Sequence, residues 1–350
     1  MRLATLLVPL ALATAVNGAF AQAPGAPADD RVARYAEASR QARAGQIERA
    51  LESFDALARD FPAWVPASRG LGLVAASAGE ELAETWRGRL RERVRRLRRD
   101  IAASVALAVL EKAAGHREEA HRLLLTAVTA GARSPLLVPL LLETSEDPAG
   151  LAGWFALRAS VLPGDSAFEA MRARLLLAEG RTAEADRIVR ASLQRHPDDP
   201  ELLSLGARIA RAKGDLSAAC ERAGLAAGLL PPVEVPEIRI PRRLWLARAL
   251  IACGRTEPAR GLLAGLGPMA TPPGSPVPAE GAAVVRAELE LATGEPVKAL
   301  ARLPQAPAAD PFWSEAARAV RLEALAAIGA GYGEEGRTLP REPLPAGLAP

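Results

Sequence analysis

Residues 166–199 read SAFEAMRARLLLAEGRTAEADRIVRASLQRHPDD, and residues 200–233 follow directly as PELLSLGARIARAKGDLSAACERAGLAAGLLPPV. The two stretches carry the same landmarks 34 positions apart. Each has a Gly, an Ala five residues later and a Pro twelve residues after the Ala, namely Gly180, Ala185 and Pro197, then Gly214, Ala219 and Pro231. A period of this length indicates a chain built from repeated units.

Elementary physics explains each landmark. The Gly suits the end of a first helix, because a left-handed backbone costs glycine nothing there. The small Ala, in the first turn of a second helix, lets the two helices approach closely. The Pro lies just past the second helix, where it stops propagation. Each two-helix unit then exposes an apolar face that only a neighbouring unit can cover.

The same spacing recurs towards both ends of the chain. One copy contains Ala38, Gly45, Ala50, Phe54 and Pro62, and another contains Ala287, Gly294, Ala299, Leu303 and Pro311. Weaker copies run through Ala108, Gly115, Ala120 and Leu124, and through Ala247, Gly254, Ala259 and Leu263. The pattern resembles the tetratricopeptide repeat, a helix–turn–helix unit of 34 residues. Another α-solenoid with a similar period is the alternative.

This resemblance predicts an all-α fold, a right-handed α-solenoid of about eight antiparallel two-helix repeats. The predicted repeats lie near 31–64, 65–100, 101–134, 135–165, 166–199, 200–233, 240–273 and 280–313. The second and fourth rest on length and helical pattern alone. The composition also favours helix, because Ala, Leu, Arg and Glu are abundant while aromatic residues make up only 4%.

Spacers and ends complete the predicted organisation. Residues 234–239 add six residues between repeats, and residues 266–279, rich in Gly and Pro, are predicted to form an extended loop. A capping helix is expected over 314–330. The repeated Gly and Pro of 331–350 predict a disordered tail.

The N-terminus has the pattern of an export signal. An apolar run follows Arg2, and Ala19-Phe20-Ala21 fits the small-x-small motif before a cleavage site. We therefore expect a signal peptide over 1–21, a flexible leader over 22–30, and a periplasmic or secreted protein. The alternative is an uncleaved anchor, for which a run of about 14 residues is short. The abundance of Ala and Arg suggests a Gram-negative bacterium.

No residue pattern points to catalysis, a cofactor or a metal. His116 and His121 are five positions apart, whereas a zinc-protease helix needs two His four apart with a Glu directly after the first. No nucleophile elbow, phosphate loop or dinucleotide fingerprint occurs, and the carboxylates are scattered. We therefore predict a protein that is not an enzyme. An enzyme hidden in a helical array would instead require a buried cluster of ionisable residues.

Proteins with this repeat bind peptides or helices in a concave groove lined by the first helices, and the resemblance carries that surface over. The same groove position holds Arg174, Arg208 and Arg248 in three successive repeats, and Arg211 follows Arg208 by about one turn. We call these four the groove arginines. Such a row could grip carboxylates in an acidic segment or a chain terminus. Ordinary solvated surface is the alternative, and it is the one we favour from the sequence.

Two other repeats also have residues at predicted groove positions. In the eighth repeat the groove position holds Glu288, so the row of arginines stops there. Tyr35 and Arg43 occupy possible groove positions in the first repeat.

Residues 86–100 form a basic segment with eight arginines, namely Arg87, Arg89, Arg91, Arg93, Arg95, Arg96, Arg98 and Arg99. Its apolar residues fall on one helical stripe. Such a helix could contact an anionic membrane surface, a polyanion or an acidic protein. The reading that we favour is a solvated outer helix whose apolar stripe faces inward. The net charge of +3 gives no global reason to expect a nucleic-acid partner.

The two cysteines, Cys220 and Cys253, are too few for a disulfide scaffold. In the family that the chain resembles, their positions lie on the same edge of the solenoid. A disulfide is therefore possible there, although two separately buried thiols are the reading that we favour.

The predicted function is that of a non-catalytic scaffold or adaptor in the bacterial periplasm, with one or more protein partners. The alternative is an accessory subunit of an exported enzyme, polysaccharide or secretion complex.

Overall fold

The computed structural model describes residues 28–97, 99–162, 164–231, 234–266, 272–273, 279–304 and 311–332. The predicted signal peptide, most of the leader, most of the 266–279 loop and nearly all of the predicted tail lie outside these ranges. Within them, the regular secondary structure consists of seventeen α-helices and contains no strand.

The helices form eight consecutive pairs followed by one longer helix. In chain order they are α1 Ala28–Arg43, α2 Ile47–Asp60, α3 Val65–Ser77, α4 Glu80–Arg96, α5 Ile101–Ala113, α6 Arg117–Ala130, α7 Leu137–Thr144, α8 Pro148–Val161, α9 Ser166–Ala178, α10 Thr182–Arg195, α11 Pro200–Ala212, α12 Leu216–Gly228, α13 Pro236–Ala252, α14 Thr256–Ala264, α15 Ala279–Ala292, α16 Pro296–Arg302 and α17 Pro311–Tyr332. Neighbouring helices pack in sequence along the chain. The predicted all-α solenoid is confirmed.

The landmark residues of the repeat have the roles that their chemistry predicts. The six landmark glycines lie in turns between a first and a second helix and have φ between 73° and 86°, namely Gly45, Gly115, Gly180, Gly214, Gly254 and Gly294. The Ala that follows each of them is at most 1% exposed, namely Ala50, Ala120, Ala185, Ala219, Ala259 and Ala299. Local sequence thus sets both the turn and the close approach of the two helices.

Residues 234–239 differ from the predicted spacer. Helix α13 begins at Pro236, so four of these six residues are helical. Proline suits the first helical position, because its fixed φ matches the helix and its missing N–H would be unbonded there anyway. Pro241 lies inside the same helix and cannot donate to the helical ladder. Pro241 therefore removes one hydrogen bond between the first turn of α13 and the rest of the helix.

The fourth repeat departs most from the common pattern. Helix α7 has only eight residues, and it packs on α6 and α9 more extensively than on its own partner α8. Helix α8 packs instead on α9, where the rings of Phe155 and Phe168 stack with centroids 5.1 Å apart. A short first helix presents too little surface to hold its partner.

Buried side chains form two continuous clusters, one running mainly from α1 to α11 and the other from α11 to α17. In α5, residues 101–111 are all buried. Helix α3 lies very close to it, since a Cβ added at Gly72 would come within 2.6 Å of the carbonyl oxygen of Ala106. Helix α5 therefore presents no open face to a partner over these residues. None of the described helices is both long and apolar enough to cross a bilayer.

Candidate protein-binding site

The four groove arginines lie on the first helices of three successive repeats, on α9, α11 and α13. Two of them are paired with carboxylates inside the protein. Arg174 donates to Glu201 of α11, and Nη2 of Arg248 lies 2.6 Å from Oε1 of Glu288 on α15. These two arginines therefore join neighbouring repeats, and their charge is already balanced.

Glu201 is the centre of a larger charged network. Its other oxygen accepts a hydrogen bond of 2.7 Å from Arg242, which also contacts Glu234 at 2.8 Å. Burial opposes ionisation of Glu201, but the guanidinium groups of Arg174 and Arg242 outweigh burial and lower the pKa of Glu201. The carboxylate thus stays ionised and links α9, α11 and α13.

Arg248 lies in an aromatic setting. Its guanidinium carbon is 5.2 Å from the ring centroid of Phe312 and 5.7 Å from those of Trp245 and Trp313. The side chain is 7% exposed. The rings and Glu288 together hold it in place, so Arg248 contributes shape to the groove more than free charge.

Arg208 and Arg211 differ from the other two. Among the described residues, no carboxylate oxygen lies within 4.0 Å of either guanidinium group. Burial and the neighbouring charge of Arg174 lower the pKa of Arg208. Burial and Arg248 likewise lower the pKa of Arg211, with Glu288 acting in the opposite direction. Both cations are thus partly desolvated without a direct counter-ion, and this arrangement favours binding of an anion.

The surroundings of these two arginines suit an amphipathic ligand. The guanidinium carbon of Arg208 lies 4.6 Å from the ring centroid of Trp245, which holds the group in one orientation. Arg211 lines a cavity of about 390 Å³ together with Arg248, Glu288, Leu291, Val320 and Glu323. The cavity combines an apolar wall with charged groups, so it can take a side chain beside a carboxylate held by Arg211.

The two predicted groove residues of the first repeat have different surroundings. Tyr35 was expected in a groove, but it is 1% exposed, packs on Phe54 and Trp64, and donates its hydroxyl proton to Glu237. Burial first, and then Glu237, raise the pKa of Tyr35 well above its ordinary value. Arg43 is exposed in the last turn of α1. The structure therefore does not bring Tyr35 or Arg43 to the groove arginines.

The basic segment is partly used in folding. Arg91 donates to the buried Glu111 at 2.8 Å, and Nε of Arg87 lies 3.7 Å from the same carboxylate. Arg93 pairs with Asp55 and Asp100, and these pairs hold α4 against α2 and α5. These three arginines are therefore paired within the protein.

The end of the basic segment remains exposed. Arg95 and Arg96 each pair with Glu92 on their own helix, and each is 75% exposed. Leu97, beside them, is 63% exposed, and Arg99 is exposed too. Arg98 lies outside the described residues. An exposed leucine among exposed arginines is a combination suited to an interface with an anionic surface.

The cysteines are joined. Cys220 of α12 and Cys253, just after α13, form a disulfide with Cα atoms 6.4 Å apart. This differs from the two separate thiols that we favoured from the sequence. Cys220 near the start of α12 and Cys253 at the end of α13 thus lie on the same edge of the solenoid, and the cross-link joins the sixth repeat to the seventh.

Several important residues of this region were not singled out from the sequence. Glu201, Arg242 and Glu234 act through pairings between repeats, for which local sequence holds no signal. Trp245 could have been found, because it lies three residues before Arg248 and therefore on the same helical face. Among the described residues, no group of three or more His, Cys, Asp or Glu could hold a metal ion.

No family model matches the chain, and no curated protein is similar to it in sequence. Similar solved structures include Cut9–Hcn1 of the APC/C, with 13% identity, a TM-score of 0.46, and 83% of this chain aligned to 54% of that chain. The chain thus spans about half the length of that protein. PilW, a type IV pilus biogenesis factor, has 14% identity, a TM-score of 0.34 and coverage of 68% and 92%.

The TPR2AB domain of yeast Sti1, in a pHSP90 complex, has 14% identity, a TM-score of 0.25 and coverage of 85% and 98%. The TM-scores of these structures are all below 0.5, so the fold is assigned from the geometry of the chain itself. Its 34-residue period, left-handed glycine turns and stacked helix pairs make the fold a solenoid of the tetratricopeptide-repeat type.

Proposed function

We propose that the protein is a non-catalytic adaptor that holds an acidic segment of a partner protein against Arg208 and Arg211. The observation that carries this proposal is the state of these two cations, which are partly buried on α11 without a carboxylate within 4.0 Å in the described part of the chain. A partner carboxylate would supply the missing counter-charge. Arginine suits this role because its planar group binds carboxylates with two parallel hydrogen bonds.

The paired arginines explain why the site is specific. Arg174 and Arg248 are neutralised by Glu201 and Glu288 and fix the distance between helices. Arg208 and Arg211, one turn apart on α11, then form the recognition pair, and Trp245 provides an apolar surface beside them. The ligand that fits best has carboxylates next to apolar side chains.

A labelled peptide of alternating Glu and Leu is the probe for this site, with its Gln counterpart as the uncharged control. The variant Arg208→Gln with Arg211→Gln should weaken binding in fluorescence anisotropy by about tenfold or more for each arginine, as the loss of a hydrogen bond between charged groups implies. Arg122→Gln with Arg260→Gln removes the same charge from exposed surface pairs. Equal affinity of the two double variants would overturn the proposal.

The proposed location is the periplasm, and it rests on the export pattern of residues 1–21. Mass spectrometry of the protein recovered from the cell envelope should find a mature chain that begins at Gln22. A chain that retains the first 21 residues in that fraction would contradict this prediction.

The exposed end of the basic segment supports a second candidate function, contact with an anionic membrane surface. Leu97→Ser should reduce co-sedimentation with vesicles that contain phosphatidylserine and leave the weak binding to pure phosphatidylcholine unchanged. Leu157→Ser is the matched control, because Leu157 is 70% exposed on α8. Binding that does not depend on phosphatidylserine, or that both substitutions reduce equally, would contradict the role of this segment.

A further inference from the structure

Residues 234–239 are an insertion in the repeat array. The fifth and sixth repeats begin at residues 166 and 200, so a strict period would start the seventh at 234. The landmarks Gly254 and Ala259 place it six residues later. Inserted residues between structural units normally lie on the surface, because buried backbone needs hydrogen-bond partners. We call these six residues the closing segment.

The closing segment is buried. Val235 is 2% exposed and Glu237 is 5% exposed. Val235 belongs to a core cluster that also contains buried side chains of α1, α3 and the neighbouring α11, and Ile238 packs against that cluster. The closing segment is therefore part of the hydrophobic core.

Glu237 makes a contact between residues that lie far apart in the sequence. The hydroxyl of Tyr35 donates a hydrogen bond to Oε1 of Glu237, 202 positions away. Nη1 of Arg69 lies 3.9 Å from the same oxygen. Tyr35 and Arg69 lie on α1 and α3, so the contact joins the seventh repeat to the first two.

Glu234 and Arg239 of the closing segment bind to the sixth and seventh repeats. Glu234 contacts Arg242 at 2.8 Å, and Arg242 also binds Glu201. Nη2 of Arg239 donates to the carbonyl oxygen of Leu266 at 3.1 Å. The segment is therefore fixed to the sixth and seventh repeats on one side and reaches the first two repeats on the other.

We propose that the inner face of the first two repeats is a binding site for a short segment with a carboxylate between apolar residues, and that the chain's own closing segment occupies it. The occupied site closes the solenoid on itself. This inference is independent of the binding function of Arg208 and Arg211.

The chemistry of Glu237 supports a specific contact. A carboxylate is costly to bury, and apolar residues would fill the same space at lower cost. Its side chain is nonetheless 2% exposed and meets both a phenol and a guanidinium group. Such a pairing selects one register for the segment, because a shift by one residue would bury the charge without its partners.

The first experiment measures closure in the full chain. Glu237→Ala and the milder Tyr35→Phe should each increase the radius of gyration in small-angle X-ray scattering. Each should also accelerate amide hydrogen exchange in α1 and α3 by about tenfold or more, since one hydrogen bond to a charged group is lost. Glu257→Gln, in an exposed pair on α14, is the matched control. Unchanged scattering and exchange in both variants would overturn the proposal.

The second experiment supplies the segment in trans. A labelled peptide of residues 234–241, EVPEIRIP, should bind the Glu237→Ala chain and fail to bind the parent, whose site is filled. A peptide with Gln in place of its second Glu should bind at least about tenfold more weakly. Adding Tyr35→Phe to the Glu237→Ala chain should weaken binding of the unmodified peptide by a similar factor.

Combining Arg208→Gln and Arg211→Gln with Glu237→Ala tests whether the peptide binds at the groove arginines instead. These substitutions should leave peptide binding to the Glu237→Ala chain unchanged. Peptide binding that these substitutions abolish, or equal binding to the parent and to Glu237→Ala, would show that the inner face of the first repeats is not the site.

Discussion

At the scale of the residue, Gly180 shows how one position controls a repeat. Its φ is 75°, and a Cβ added there would meet no atom within 4 Å. The need for glycine is therefore conformational and not a matter of space. The same conformation recurs in the other five landmark glycines, so each of these six repeats depends on one residue that can turn the chain left-handed.

We expect Gly180→Ala to lower the free energy of unfolding by about 1–2 kcal/mol, the cost of the left-handed region for a residue with a Cβ. Gly153→Ala is the matched control, because Gly153 lies inside α8 and its Cβ would also meet open space. It should stabilise the protein by about 0.5–1 kcal/mol, because alanine favours the helix interior. Urea unfolding followed by circular dichroism measures both, and shifts of the same sign would contradict this account.

At the scale of the element, the junction of α12 and α13 is the place where the array is both lengthened and cross-linked. The insertion extends α13 towards the first repeats, and the disulfide between Cys220 and Cys253 fixes the sixth repeat to the seventh. The cross-link limits how far the inserted turn can separate these repeats. The two features together set the orientation of the groove helices α11 and α13.

We expect reduction of this disulfide to lower the free energy of unfolding by about 3–4 kcal/mol, as the chain-entropy model gives for a loop of this size. The separation of the two cysteines is 33 residues. Thermal unfolding with and without dithiothreitol measures the difference. The variant Cys220→Ser with Cys253→Ser should be insensitive to the reductant, and a loss of stability in that variant on adding reductant would contradict the assignment.

At the scale of the whole molecule, charge pairs between repeats stabilise the solenoid as well as apolar packing. Glu201 joins three first helices through Arg174 and Arg242, and Glu237 joins the seventh repeat to the first. Repeat proteins otherwise gain stability only from contacts between neighbours. These pairs therefore make distant repeats cooperate.

The lowered pKa of Glu201 predicts a dependence of stability on pH. Because its pKa in the folded state lies below the ordinary value of 4.5, its stabilising contribution is complete above pH 4.5 and is lost as the pH falls through the folded-state pKa. In Glu201→Gln, the free energy of unfolding should therefore decrease less steeply below pH 4.5 than in the parent. Glu257→Gln should leave that limb as in the parent. An acid limb that Glu201→Gln leaves unchanged would contradict the prediction.

Much of the fold could be predicted from local sequence. The Gly, Ala and Pro landmarks specify turns, close helix contacts and helix ends within about 34 residues. Each repeat packs mainly on its neighbours, so a periodic sequence determines the solenoid. The positions of the groove arginines on first helices followed from the same period. The sequence by itself therefore determined the architecture and the placement of the groove arginines on the first helices.

Only the tertiary structure decided which of these side chains are available. Arg174 and Arg248 are neutralised by acids from other repeats, whereas Arg208 and Arg211 have no carboxylate within 4.0 Å among the described residues. Likewise, Tyr35 is buried because Glu237 reaches it from 202 positions away. The physical reason is that such pairings depend on the rotation and rise accumulated over several repeats, and no local pattern of residues encodes that sum.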